Sequence, residues 1–138
     1  MANRIPRTVF LSGPMRGVPR RDAIAWRKRA QRLLGNGFYV LHAFRGREER
    51  ETFPDPRGAI VRDKQDIRRC DIMIVNDTFR QASMIGTAME VFLAHSLDKA
   101  VIIFGHGHDH DYWLNVHAHL RVNTLEDACT LVKKLFQE

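Results

Sequence analysis

The chain has 138 residues, 44% hydrophobic and 28% charged, which suits one compact domain, residues 1–138, able to bury its own core. No apolar run approaches the roughly 20 residues of a membrane span, and "MANRIPRTVFLSG" lacks the apolar stretch of a secretory signal. Cys70 and Cys129 stand far apart without a CxxC pattern, so neither a disulfide framework nor a zinc signature is offered, and a reducing cytoplasm is the simplest setting.

The net charge of +6 is uneven: residues 1–69 carry 17 Lys and Arg against 7 acids, and residues 70–138 carry 5 against 9. Such a split fits a surface for nucleic acid or a phosphorylated ligand, or a solvated arginine-rich helix face.

"TVFLS" (8–12) reads as a buried strand ending at Gly13-Pro14. A helix follows over 22–34, with Ala23, Trp26, Ala30 and Leu33 on one stripe and Arg27, Lys28, Arg29 and Arg32 covering the rest. Gly35 and Gly37 end it, and "FYVLH" (38–42) is the second strand. Residues 43–57 form a polar loop longer than usual connections. A second helix spans 58–70, with Ile60, Asp63 and Ile67 on its core-facing stripe and Asp66 turned towards the charged side.

"DIMIVN" (71–76) is the third strand, a loop runs through Ser83, and 86–97 is a helix. "AVIIF" (100–104) is the fourth strand, 105–118 a loop with room for a short helix, and "LRVN" (120–123) a weak fifth strand. Thr124 with Asp127 resembles a capping box that opens a last helix to Phe136. Strands alternating with helices predict an α/β fold: a flavodoxin-like or Rossmann-like sandwich whose five-stranded, mainly parallel sheet is flanked by helices. In such sheets ligands bind beyond the carboxyl ends of the strands at a topological switch point, which nominates "SGPMRG", "NDTFRQASM" and "GHGHDHD".

The helix "GTAMEVFLAHS" is apolar nearly all round and so is expected to be buried, yet it contains Glu90. A buried carboxylate costs several kcal/mol unless paired or solvated. Glu90 therefore marks either a structural ion pair or a reactive site. Asp63 poses the same choice, with Arg62 and Lys64 as its available partners. In "SGPMRG" two glycines let backbone amides approach an anion, and Arg16 adds a donor fork suited to phosphate or a sugar hydroxyl. Neither a dinucleotide fingerprint nor a P-loop is present.

Together "VFLSGPMRG", "RDKQDIRRCDIMIV", "GTAMEVFLAHSLDKAVIIF" and "WLNVHAHL" resemble the nucleoside 2-deoxyribosyltransferase superfamily, which includes the 2'-deoxynucleoside 5'-monophosphate N-hydrolases. The resemblance covers roughly residues 8–120, and its most specific parts are Asp63-x3-Ile67-x3-Asp71 and Gly86-x3-Glu90. It implies a retaining mechanism without cofactor or metal: Glu90 attacks C1', the base departs with a proton assisted by Asp63, and water or a second base resolves the glycosyl intermediate. The transition state resembles an oxocarbenium ion, which an ionised carboxylate in a dry pocket stabilises.

By the same resemblance Arg16 binds a 5'-phosphate, Gly13 and Gly86 lie against the ligand, and Asn115 belongs to a segment that completes a neighbouring subunit's site. A dimer or larger homo-oligomer is implied, and Phe92 and Leu93 give the third helix a second apolar side. Phe10 stands where members commonly carry a tyrosine, and Pro14 where the hydrolases carry a phosphate-binding serine. Met84 and Ile85 occupy the region of a transferase acid, with Ser83 the nearest polar residue. The competing reading is a protein of this fold that binds nucleotide or nucleic acid without turnover. His106, His108 and His110 with Asp109 and Asp111 read as an exposed loop or lid rather than a metal site, Trp113 as a base wall or packing, and His95 as a core-edge residue.

Overall fold

The fold is seen in a computed structural model that describes residues 6–44 and 54–137. Most of the expected polar loop, residues 45–53, lies outside the described residues. The strands are β1 (Arg7–Ser12), β2 (Phe38–Leu41), β3 (Ile72–Asn76), β4 (Ala100–Phe104) and β5 (Leu120–Val122). The helices are α1 (Arg20–Leu34), α2 (Pro56–Arg69), α3 (Ile85–Ser96), α4 (Tyr112–His117) and α5 (Leu125–Phe136). The five strands lie in the order β2-β1-β3-β4-β5 and every pair is parallel.

The strands are apolar on both faces because both faces are covered. Val9, Leu11, Ile72, Ile74, Ile102 and Phe104 pack against α1 and α5 through Trp26, Ala30, Leu34, Ala128 and Val132. The alternate residues Phe10, Met73, Val75, Val101 and Ile103 pack against Ile67 of α2, Val91 and Ala94 of α3, and Leu114 of α4. At roughly 25 cal/mol per Å² of apolar surface removed from water, these two layers are the main stabilising term.

Helix starts follow local chemistry. Asp55 accepts from Arg57 N at 2.9 Å with Pro56 in the first turn of α2, Asp111 accepts from Leu114 N at 3.0 Å, and Thr124 Oγ1 accepts from Asp127 N at 3.1 Å as expected. Both cysteines are free and buried. Among the described residues no helix is long and apolar enough to cross a membrane.

Four expectations need correction. Arg27 is only 2% exposed, because it falls on the buried side of α1 with Ala23, Ala30 and Leu34 rather than on the solvent face. Asp66 is buried and ion-paired to Arg62 at 4.0 Å and Arg69 at 3.8 Å, whereas Ile60 is exposed; α2 meets the sheet through its last turns, so its first apolar residue hangs clear. The third helix is not buried all round: Ile85, Met89 and Phe92 form an exposed stripe, opposite Val91 and Ala94 in the core. The loop after β4 is exposed at His106, Asp109 and His110 as expected, but not at His108, which a buried aspartate holds.

Candidate active site

The strand order places the switch point between β1 and β3, whose chain connections leave in opposite directions. Ser12 ends β1 there, and its Oγ donates a 2.6 Å hydrogen bond to Glu90 Oε1, one turn inside α3. Asp63 of α2 stands close enough for the two carboxyls to act on one another. The expected pair Glu90 and Asp63 is thus brought together, although 27 positions separate them in sequence.

Burial raises the pKa of the Glu90 carboxyl well above the usual carboxylate range, and the neighbouring Asp63 charge raises it further. The Ser12 hydrogen bond and the Arg27 charge oppose that rise. Asp63 is raised for the same first reason, with Asp66 adding like charge and Arg27 and Arg62 lowering it. Two close carboxyls cannot both ionise cheaply, so near neutrality one proton belongs to the pair.

Behind the pair lies Arg27. Its Nη1 donates to Ala23 O at 2.8 Å and its Nη2 to Gly13 O at 3.0 Å, while the guanidinium stacks on Trp26 and Phe44. Burial lowers its pKa to about 10, offset by Glu90 and Asp63, so it stays a cation at neutral pH. The Gly13 carbonyl it grips belongs to the turn after β1. A Cβ at Gly13 would lie 2.8 Å from Trp26 Cζ2 and 3.2 Å from Asn76 Cβ, so only glycine lets the turn run this close.

Arg16 is exposed on that turn, and its carbonyl accepts from Ser83 N at 3.3 Å, which brings the two loops together. Gly86 is exposed in the first turn of α3 with open space where a side chain would sit. Phe10 is wholly buried in the core layer beneath α2 and α3. Among the described residues Asn115 makes no hydrogen bond to the carboxyl pair. Its Nδ2 donates to Asp109 O at 2.6 Å and its Oδ1 accepts from Arg121 Nη2 at 3.0 Å, in a second network at the ends of β3 to β5.

That network centres on Asp77, which is fully buried. His108 Nδ1 donates to its Oδ1 at 2.6 Å, while His108 N and Arg121 Nη1 donate to its Oδ2 at 3.0 and 2.8 Å. A depression of about 540 Å³ lies over this loop, lined by Arg80, His106, His108, His110 and their neighbours. Among the described residues no cluster of His, Cys, Asp or Glu is arranged to hold a metal ion. Trp113 is exposed and stacks on His117, and His95 sits at a core edge beside His117 and His119.

Sequence reasoning missed Ser12, Arg27, Asp77 and Arg121. For Arg27 a signal existed: Ala23, Arg27, Ala30 and Leu34 share the i, i+4, i+7, i+11 spacing of a buried stripe. For the Asp77–Arg121 pair, 44 residues apart, no local pattern exists.

A family model described as "Domain of unknown function (DUF4406)" matches residues 7–103. No curated protein matches the sequence. Among solved structures, a conserved protein from Enterococcus faecalis is similar at 14% identity and a TM-score of 0.67, over 96% of this chain and 100% of that one. A 2-deoxyribosyltransferase from Bacillus psychrosaccharolyticus is similar at 19% and 0.65, over 88% and 89%. A CMP N-glycosidase from Clostridium botulinum is similar at 18% and 0.60, over 94% and 100%. At such identities the likeness is one of fold, which this chain shares with the nucleoside 2-deoxyribosyltransferase superfamily.

Proposed function

We propose, from the premise that this chain belongs to the family described as Domain of unknown function (DUF4406), that it cleaves the N-glycosidic bond of 2'-deoxynucleosides or their 5'-monophosphates. The observation that carries this reading is the carboxyl pair Glu90–Asp63, desolvated at the sheet's switch point and steadied by Ser12. A carboxylate kept there for structure alone would have an ion-pair partner in contact. Glu90 instead has a hydroxyl and a second acid.

In the first step a Glu90 oxygen donates an electron pair to C1', the C1'–N bond breaks, and its electron pair leaves on the base nitrogen. Positive charge developing at C1' favours the ionised form of Glu90, which moves the shared proton onto Asp63 and from there to the departing base. In the second step water, losing a proton to Asp63, or a second base attacks C1' and releases Glu90 as carboxylate. The similar transferase and N-glycosidase structures support both outcomes. Arg16, with Ser83 and the first turn of α3 at Gly86, faces the 5' end of the ligand as the donor for a phosphate.

A second copy of the chain covers the exposed stripe Ile85, Met89 and Phe92 together with Trp113 and Val116 of α4 and Ile60 and Val61 of α2. Large apolar side chains this exposed make up on the order of 800 Å² per partner, the size of a standard interface. Asn115 lies on α4 beside this face, and exchanging its bonds to Asp109 O and Arg121 for the neighbour's ligand would bring it into that site.

The test is incubation with each deoxynucleoside and deoxynucleoside monophosphate, with and without free base, following base release by chromatography. Turnover that falls at least about 10³-fold in Glu90→Ala is expected. No turnover with any substrate favours a binding protein of the same fold, and turnover undiminished in Glu90→Ala removes the mechanism.

A further inference from the structure

Arg27 is an arginine from one face of the sheet serving two acids from the other. Helix α1 packs with α5 on the face of Val9 and Leu11, whereas α2 and α3, which carry Asp63 and Glu90, pack on the face of Phe10. Its guanidinium comes to the site by rising over the carboxyl end of β1, where its Nη2 holds Gly13 O, next in the chain to the Ser12 whose hydroxyl holds Glu90.

A purely structural buried arginine spends its donors and meets a carboxylate directly. Arg27 does so only in part: among the described residues it gives one bond from each Nη to backbone carbonyls, while its buried Nε–H has no hydrogen-bond partner and no carboxylate makes an ion pair with it. The aromatic rings of Trp26 and Phe44 hold the guanidinium plane in place, at 4.6 and 5.4 Å from the ring centroids. The charge is therefore fixed, dry and set back from the acids, where it acts on both without neutralising either by contact.

We propose that Arg27 is the positioning residue of this site: it fixes the turn at Gly13 and sets, through its charge, the pH at which the Glu90–Asp63 pair keeps one carboxylate ionised. The inference rests on the reading of Glu90 as nucleophile for its consequence in catalysis, but its electrostatic content stands apart from turnover. The other groups that act on the pair are Asp66 and Arg62 of α2 and the Ser12 hydroxyl of β1. Asp66 is offset by Arg62 and Arg69, which leaves Arg27 as the cation from the opposite face. Without it, two carboxyls in a low-dielectric site release their first proton later, and the ionised nucleophile is scarce at neutral pH.

The experiment is a carbon-detected NMR titration of the Glu90 and Asp63 carboxyl resonances in wild type, Arg27→Gln and Arg27→Lys. The midpoints of the pair are expected to rise by about one pH unit in Arg27→Gln and by less than half of that in Arg27→Lys. If activity is present, the acid limb of the kcat/KM profile moves by the same amounts. Should Arg27→Gln fail to fold, Arg27→Met decides, since it keeps an apolar stem between Trp26 and Phe44 and carries no charge. Unmoved midpoints in a folded neutral variant overturn the proposal. Loss of activity at all pH values with unmoved midpoints likewise overturns it and assigns Arg27 a structural role. Moved midpoints in a protein with no base release leave the electrostatic role standing and sink only the enzymatic reading.

Discussion

The Ser12 hydroxyl and the Glu90 carboxylate are 78 residues apart in sequence and 2.6 Å apart in space, and this hydrogen bond ties the end of β1 to the second turn of α3. Because a hydroxyl can donate to a carboxylate, the contact favours the charged form of an acid that burial otherwise discourages.

Replacing Ser12 with alanine removes that donor, and the Glu90 pKa rises further. A hydrogen bond to a charged group contributes about 1.5–3 kcal/mol, so kcat/KM for base release falls roughly 10- to 100-fold at pH 6–7. The loss is concentrated on the acid limb of the profile and shrinks as pH rises, as long as the pair still holds the one proton that Asp63 passes to the base. A pH–rate profile of Ser12→Ala reads this directly. An equal loss at every pH would mean that the hydroxyl contacts substrate instead.

The raised carboxyls also set a pH dependence of stability. A folded-state pKa above the unfolded value means that the native protein holds its proton longer. That contribution to stability is present below about pH 4.5 and is lost as pH rises through the folded-state value. Glu90→Gln keeps the shape without the charge, so the variant gains on wild type as pH climbs, by about 1–2 kcal/mol between pH 5 and pH 9. Urea unfolding of both proteins at the two pH values measures it, and a difference that shrinks with pH would contradict the buried-acid account.

Asp77 is a structural counterpart to the carboxyl pair: fully buried, where Glu90 is half-buried, and directly paired. Asp77→Ala leaves Arg121 and His108 without their acceptor and is expected to cost about 3–5 kcal/mol in chemical denaturation, with Asp77→Asn milder. Gly105→Ala strains the same place. Its φ is +94°, and a Cβ there would lie 2.7 Å from Asp77 O.

Met89 lies mid-stripe on α3 and is 69% exposed. Met89→Glu therefore changes the stability of a single copy by less than about 0.5 kcal/mol. It places like charges near the centre of the proposed symmetric contact, and sedimentation at micromolar concentration should show the wild type as a dimer or larger and the variant as a monomer. A wild type that sediments as a monomer would remove the second copy from the reading.

What the residues determine by themselves is local. The alternation of short apolar strands with amphipathic helices led to the parallel α/β sheet, and "AVIIF" and the Thr124 cap appear where expected, because strand period, helix period and capping depend on neighbours along the chain. Glu90 was legible as an oddity for the same reason: a lone acid in an apolar helix. Tertiary structure alone decided what surrounds it. That Ser12 holds Glu90 with Asp63 close by, that Arg27 turns inward over β1, that Asp77 organises the loops beyond β4, and that one side of α3 stays open all follow from the strand order 2-1-3-4-5. Parallel crossovers bring distant strand ends to one edge, and no periodicity within a segment records which ends those will be.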